Sequence, residues 1–255
     1  MAIMGLLTIS SCGKEDNNSS NKGGKEDNNS SDKGGKEQTI PSNYYIVSPD
    51  GTTLMKWFNT EVTSIDMQSD KVLSKITKIT AQFGPSEKLT SVVLPNSLET
   101  IGFRAFGDCK SLSSITFPNS LKTIGDSAFI GSAFSSITFP NSLTSIGGEA
   151  FAVCTSLSSI TFPNSLTTIG DYAFSKCSTL TSVTIPKNVT NIGIGAFLNT
   201  NLKTVIFEGE IPPTTSYGLD FERSVETIYV PAGSVDRYKN AENFKGYADK
   251  IKAKP

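Results

Sequence analysis

Large apolar residues return along most of this chain in a fixed order, with a period far longer than that of a helix or a strand. The phrase is Leu-x-x-Ile-x-Phe-Pro-Asn-Ser-Leu-x-x-Ile-Gly-x-x-Ala-Phe. Its proline stands at Pro95, Pro118, Pro140, Pro163 and Pro186, in steps of 23, 22, 23 and 23 residues. Its closing phenylalanine stands at Phe106, Phe129, Phe151, Phe174 and Phe197. A period of roughly 20–30 residues marks one small unit stacked on itself, a solenoid. Within a unit, Leu112-Ser113-Ser114-Ile115-Thr116-Phe117 alternates, so Ile115 and Phe117 share one face of a short strand and Ser114 and Thr116 the other. Pro118 lacks the N–H a ladder needs and ends the strand. Asn119 and Ser120 turn the chain, Leu121 and Ile124 point back inward, Gly125 permits a tight bend, and Ala128-Phe129 fill the far side. No unit buries these groups alone, but neighbours stacked at about 4.8 Å bury them together.

This register predicts parallel strands near 89–94, 112–117, 134–139, 157–162, 180–185, 202–207 and 225–230. An irregular first coil falls near 62–67, with Ile65 and Met67 inward. Eight coils at that spacing make a stack of roughly 35–40 Å. The aromatic segment 44–58 is expected to seal one end. At the other, residues 234–251 read as an amphipathic helix with Ser234 as N-cap and Val235, Tyr238, Ala241, Phe244, Tyr247 and Ile251 on one face. Segment 208–224 breaks the period and reads as an enlarged coil in which Phe221 replaces the usual Ala-Phe.

The combination Leu-x-x-Ile-x-Phe, Pro-Asn-x-Leu-x-x-Ile-Gly-x-x-Ala-Phe resembles the BspA-like leucine-rich repeat family of bacterial surface proteins, over about residues 60–255, with five copies agreeing in seven or more places. The resemblance implies a leucine-rich repeat solenoid of the α/β-type repeat class, mostly short parallel strands with loops and turns on the convex side and a C-terminal capping helix. It also implies host-protein or cell-surface partners for some members.

Ahead of the repeats the pattern vanishes. Residues 1–11 are apolar or small, and Ile9-Ser10-Ser11-Cys12 resembles a bacterial lipobox, in which the cysteine is lipidated after signal cleavage. From Gly13 to Gln38 there is not one large apolar side chain, and the eleven-residue run beginning at Gly13 recurs from Gly24. Such a segment cannot offset its ordering entropy and reads as a flexible tether reaching about 25–30 Å. Glu15-Asp16 behind Cys12 resembles the signal that sends some lipoproteins to the outer face of the outer membrane. The expected layout is thus 1–11 signal remnant, 12–40 tether, 41–88 N-terminal cap and irregular first repeat, 89–211 regular repeats, and 212–255 irregular last repeat with the capping helix.

Composition narrows the chemistry. The net charge of -1 offers no basic face for nucleic acid. The chain has no histidine, which removes the commonest general base and every Ser-His or Cys-His nucleophile pair. Cys109, Cys154 and Cys177 share one repeat position and read as a ladder of small buried hydrophobes; Cys154 and Cys177, on adjacent coils, leave pairing open. The five acidic residues of the repeats, Glu99, Asp108, Asp126, Glu149 and Asp171, read as turn residues and not as a carboxylate couple. No cofactor or metal is expected. The outward strand positions form a ladder of small hydroxyls, with Ser114, Thr116, Ser136, Thr138, Ser159, Thr161, Ser182 and Thr184 as the candidate binding face.

These features lead to an expected monomeric, non-catalytic binding or adhesion protein of the cell envelope. It would be a surface-exposed outer-membrane lipoprotein that touches the membrane through its lipid alone and meets a protein or glycan ligand. Glycan capture for a nutrient-uptake system would require exposed aromatics among Tyr44, Tyr45, Trp57, Phe58 and Tyr217. A structural spacer of the envelope would bind nothing.

Overall fold

The computed structural model describes residues 39–215, 221 and 224–255. Contacts divide the chain into residues 1–36 and 37–255, and the described residues all belong to the second unit. Cys12, nearly all of the tether and Tyr217 lie outside the described residues.

The strands are β1 (Tyr45–Val47), β2 (Thr53–Trp57), β3 (Ser64–Asp66), β4 (Lys78–Ile79), β5 (Ser91–Val93), β6 (Thr100–Ile101), β7 (Ser114–Thr116), β8 (Thr123–Ile124), β9 (Ser136–Thr138), β10 (Ser145–Ile146), β11 (Ser159–Thr161), β12 (Thr168–Ile169), β13 (Ser182–Ile185), β14 (Asn191–Ile192), β15 (Thr204–Phe207), β16 (Thr227–Val230) and β17 (Ile251–Ala253). They build a solenoid of about eight turns. The strands expected from the Leu-x-x-Ile-x-Phe pattern appear within their predicted windows, and the first coil buries Ile65 and Met67 as anticipated.

Each regular coil has a second, shorter strand that the sequence reading does not contain. It is the Leu-x-x-Ile half of the phrase, and its isoleucines Ile79, Ile101, Ile124, Ile146, Ile169 and Ile192 stand in register. These strands form one continuous sheet, β1-β2-β4-β6-β8-β10-β12-β14, parallel except for the β1–β2 hairpin. The longer strands, expected as a single sheet, form three instead: β3-β5-β7, β9-β11 and β13-β15-β16-β17. At the first break, where other coils run Cys-x-x-Leu into the strand, the chain has Ser132-Ala133-Phe134, one residue fewer with a larger side chain. Thr200-Asn201-Leu202 carries the same shortening between β13 and β15, which stay paired, so what sets this coil apart is Phe134 in place of leucine. Phe134 is buried against Phe129, and β9 starts without pairing to β7. No insertion or deletion marks the second break, between β11 and β13.

The core is a stack of identical side chains. Phe83, Phe106, Phe129, Phe151, Phe174 and Phe197 lie ring on ring, with centroids 4.6–5.6 Å apart. Trp57 extends this column at one end (5.0 Å from Phe83), and Phe221 at the other (6.2 Å from Phe197), where it takes the place expected of it. Offset stacks of this kind add to the area burial that holds adjacent coils together. The serine of Pro-Asn-Ser also links coils: Ser120, Ser142 and Ser165 Oγ each donate to a leucine carbonyl of the preceding coil at 2.6 Å.

Two local expectations are corrected. Gly125 does not serve a bend through special backbone angles. Like its counterparts it is a point of close approach: a Cβ there would sit 2.9 Å from the Gly102 carbonyl carbon, and at Gly170 the same atom would meet Gly147 and Gly148 backbone at 2.5 Å. The C-terminal helix α1 spans only Val235–Asn240. Ala241 is extended (φ -69°, ψ 133°), a 3-10 turn follows at Glu242–Tyr247, and Ile251 belongs to β17, which pairs in parallel with β16. The apolar spacing that suggested one long helix instead serves three short elements that all face the open end of the core. Ser234 makes no capping hydrogen bond and is itself buried. Tyr238 and Phe244 close the stack against Phe207, with the Tyr238 hydroxyl donating to the Gly209 carbonyl at 2.9 Å.

Candidate binding surfaces

The structure exposes all eight candidate hydroxyl residues, because each occupies the outward phase of a strand whose other phase is core. It does not gather them into one ladder. Ser136 pairs with Ser159 and Thr138 with Thr161; Ser114 and Thr116 pair with Ser91 and Val93; Ser182 and Thr184 pair with Thr204 and Ile206. The β7–β9 break runs through the middle of the proposed face. There the sheet opens into a cleft of about 220 Å³, rimmed by Ser113, Ser114, Ser136 and Thr138 and floored by Ile115, Phe117, Phe134 and Ile137. Ile115 and Phe117 are consequently half-buried, and so are Ile160 on β11, the strand before the second break, and Phe162 just after it. Their equivalents, Ile137 on β9 and Phe139 just after it, are buried.

A further surface escapes sequence reasoning. Between Gly and Cys of each repeat the chain forms consecutive turns, and alternate N–H groups reach the next coil: Arg104 to Asp126, Phe106 to Ala128 and Asp108 to Ile130, at 2.8–3.0 Å. This path needs two left-handed residues per coil. They are Arg104, Ser127, Glu149, Tyr172 and Gly195 in one column and Asp108, Gly131, Val153, Lys176 and Asn199 in the other, all with φ between 50° and 74°. Glycine suits such positions, and other residues pay about 1–2 kcal/mol each. The repeat consensus does not reveal them, because their side chains differ from coil to coil.

Other expected chemistry falls into place or fails to assemble. The three cysteines are buried and unpaired, and burial raises their thiols: Cys109 and Cys177 to about 12, and Cys154 higher still, with the neighbouring Cys177 adding to the effect. Cys154 and Cys177 Sγ lie 3.4 and 3.3 Å from the carbonyls of Phe129 and Phe151. Ser132, at the same repeat position, is buried and its hydroxyl has no partner. Tyr45 and Trp57 are core of the N-terminal cap and Tyr44 packs on its edge, leaving Phe58 as the exposed member of that aromatic set among the described residues. Asp126 and Asp171 cap turns by accepting from the Gly148 and Ile194 amides (2.7 and 2.8 Å). A cleft of about 460 Å³ carries two carboxylates, Glu208 and Glu210, but both are exposed and Glu208 pairs with Lys254 at 3.9 Å, so neither sits in a water-excluded setting suited to acid–base work. Among the described residues no cluster of His, Cys, Asp or Glu could hold a metal, and no helix is long and apolar enough to cross a membrane.

Comparison with known proteins agrees with this architecture. A search of curated protein sequences finds no significant match. Among solved structures, the leucine-rich repeat protein TpLRR of T. pallidum superposes with a TM-score of 0.59 at 24% identity, covering 86% of this chain and 100% of that one. A leucine-rich repeat protein of Bacteroides ovatus superposes with a TM-score of 0.55 at 24% identity over 74% of this chain; this chain spans 63% of that protein's length. The pneumococcal vaccine antigen PcpA follows with 0.51 and 20%, covering 71% of this chain and 60% of that one. The model of the BspA-type leucine-rich repeat region matches residues 77–203 in six copies. Pattern, stacked core and family model coincide over the same residues, and through that region the chain belongs to the BspA-type leucine-rich repeat family.

Proposed function

We propose that this protein is a non-catalytic, surface-displayed binding module that grips a protein ligand on the Ser/Thr side of its coils. The observation that carries the reading is the break between β7 and β9. Ile115 and Phe117, half-buried inside a hydroxyl rim with Phe134 and Ile137 buried beneath them, give a small apolar centre with a polar border, the arrangement of protein interfaces in miniature. The two strand edges flanking it lack a strand partner on the facing side, which adds main-chain groups a partner can engage. Lipidation at Cys12 and the mixed-charge polar tether would hold the module off the outer membrane at a distance that permits contact with another cell or its matrix.

The test is surface plasmon resonance of the full chain against a panel of immobilised extracellular-matrix proteins. Saturable binding to one of them is expected, weakened at least tenfold by Ser136→Arg together with Thr138→Arg and unchanged by Thr167→Arg beside β12. Binding insensitive to the first pair, or absent throughout the panel, counts against the reading. Glycan capture through the N-terminal aromatic set has less support, since that set is largely core.

A further inference from the structure

We infer that the turn side of the solenoid carries a second site, a groove that takes a neutral pyranose unit of a glycan. The groove has a volume of about 350 Å³, lies between the two left-handed columns and is lined from four successive coils. Its walls are Glu149 and Tyr172 on one side and Val153, Lys176 and Asn199 on the other, with Ala152 on the floor. It shares no residue with the cleft at the β7–β9 break, so it stands or falls independently of the protein-binding reading.

The chemistry selects the ligand. Tyr172 is held in place: a Cβ on Gly195 would lie 2.6 and 2.8 Å from two of its ring carbons, so the ring rests against the bare backbone of the next coil. It nevertheless remains 39% exposed. A fixed, accessible aromatic ring offers a platform for the C–H face of a sugar, at little cost in side-chain ordering. Around it stand an acceptor carboxylate, an amide and an ammonium. Glu149 has only a weak hydroxyl contact, from Ser127 Oγ at 3.4 Å, so most of its acceptor capacity is free for sugar hydroxyls. Opposite charges on the two walls favour a polar ligand without net charge.

The backbone argues against an extended peptide. The amides of Phe151, Val153, Phe174 and Lys176 are already donated to the next coil at 2.7–2.8 Å. With those donors consumed, the groove cannot add a strand by main-chain pairing. Val153, Tyr172, Lys176 and Glu149 occupy φ of 54–62°, the left-handed positions that every regular coil has. The left-handed turns throw these four side chains onto one small surface.

The test is nuclear magnetic resonance of the full chain titrated separately with lactose, maltotriose, cellotriose and chitotriose at millimolar concentration. At least one should shift the amides of residues 149–153 and 172–176 saturably. Tyr172→Gly should weaken that sugar about tenfold, since one stacking contact is lost; Tyr172→Phe should retain it. Glycine is at ease at this φ, so the variant keeps the fold, and an unchanged spectrum outside the groove verifies that. No shift with any of the four, shifts confined to other residues, or shifts that survive Tyr172→Gly unaltered each overturn the proposal.

Discussion

At the residue scale the repeat is governed by what the stacking distance leaves no room for. A Cβ on Gly170 would lie 2.5 Å from backbone atoms of the preceding coil, so Gly170→Ala forces the coils apart and should cost about 3 kcal/mol. Gly246 has nothing within 4 Å of a built Cβ, and Gly246→Ala should stay within about 0.5 kcal/mol. Urea unfolding of the two variants checks the contrast. Ser132 presents the opposite situation, a polar atom buried without a partner. Ser132→Ala should therefore raise stability by about 1 kcal/mol, read as a higher urea midpoint at unchanged slope. The thiols supply a pH dependence with a definite sign. Unfolded thiols lose their protons near their ordinary value of 9.0, whereas folded Cys109 and Cys177 keep theirs until about 12. Stability is thus unaffected below pH 9 and falls as pH rises from 9 towards 12, because the unfolded state there binds fewer protons. Replacing the three cysteines by alanine should flatten that fall, measurable as urea midpoints at pH 8 and pH 10.5.

At the scale of elements, the two strand sides of the coil differ in continuity. The sheet of short strands is unbroken from β1 to β14, while the sheet of longer strands is cut after β7 and after β11. Hydrogen exchange should show this directly: amides of Ser136 and Thr138 next to the first break should exchange faster than those of Ile124 and Ile146 in the continuous sheet. Equal protection on both sides would mean the break closes in solution. The longer strands, their parallel direction and the inward phase were legible in the sequence because period-2 alternation and Pro118-type terminators recur in every copy. The two-residue strands were not, since Leu-Lys-Thr-Ile is too short for any periodicity to register. The C-terminal segment was misread for the complementary reason. Tyr238, Phe244 and Ile251 all face the core from a helix, a 3-10 turn and a strand in succession, and that convergence imitates one amphipathic face. The 22-residue step was visible, but the break was not legible from it, since the same one-residue shortening at Thr200-Asn201-Leu202 leaves β13 and β15 paired.

At the scale of the whole molecule, the repeated apolar and glycine letters build core and coil-to-coil contacts, while the repeated Ser/Thr strand positions and the variable letters build surface. The turn-side groove shows why the candidate site was only half legible: its residues come from positions where the copies disagree, so repeat analysis discards them as noise. The exposed hydroxyls were legible because they repeat, and the structure adds the break that runs between them. The lipid anchor proposed at Cys12 belongs to this scale as well. Cys12→Ala should move the protein from the membrane to the soluble fraction, and unchanged membrane association counts against the anchor. The central claim, that a repeat-built surface and not a reaction centre is the working part, is tested most directly by surface plasmon resonance of the full chain on immobilised extracellular-matrix proteins, with charge placed at the β7–β9 break. The account predicts saturable binding that Ser136→Arg with Thr138→Arg weakens at least tenfold while the melting temperature holds. Binding that survives those substitutions, or no binding to any of the panel, would contradict it.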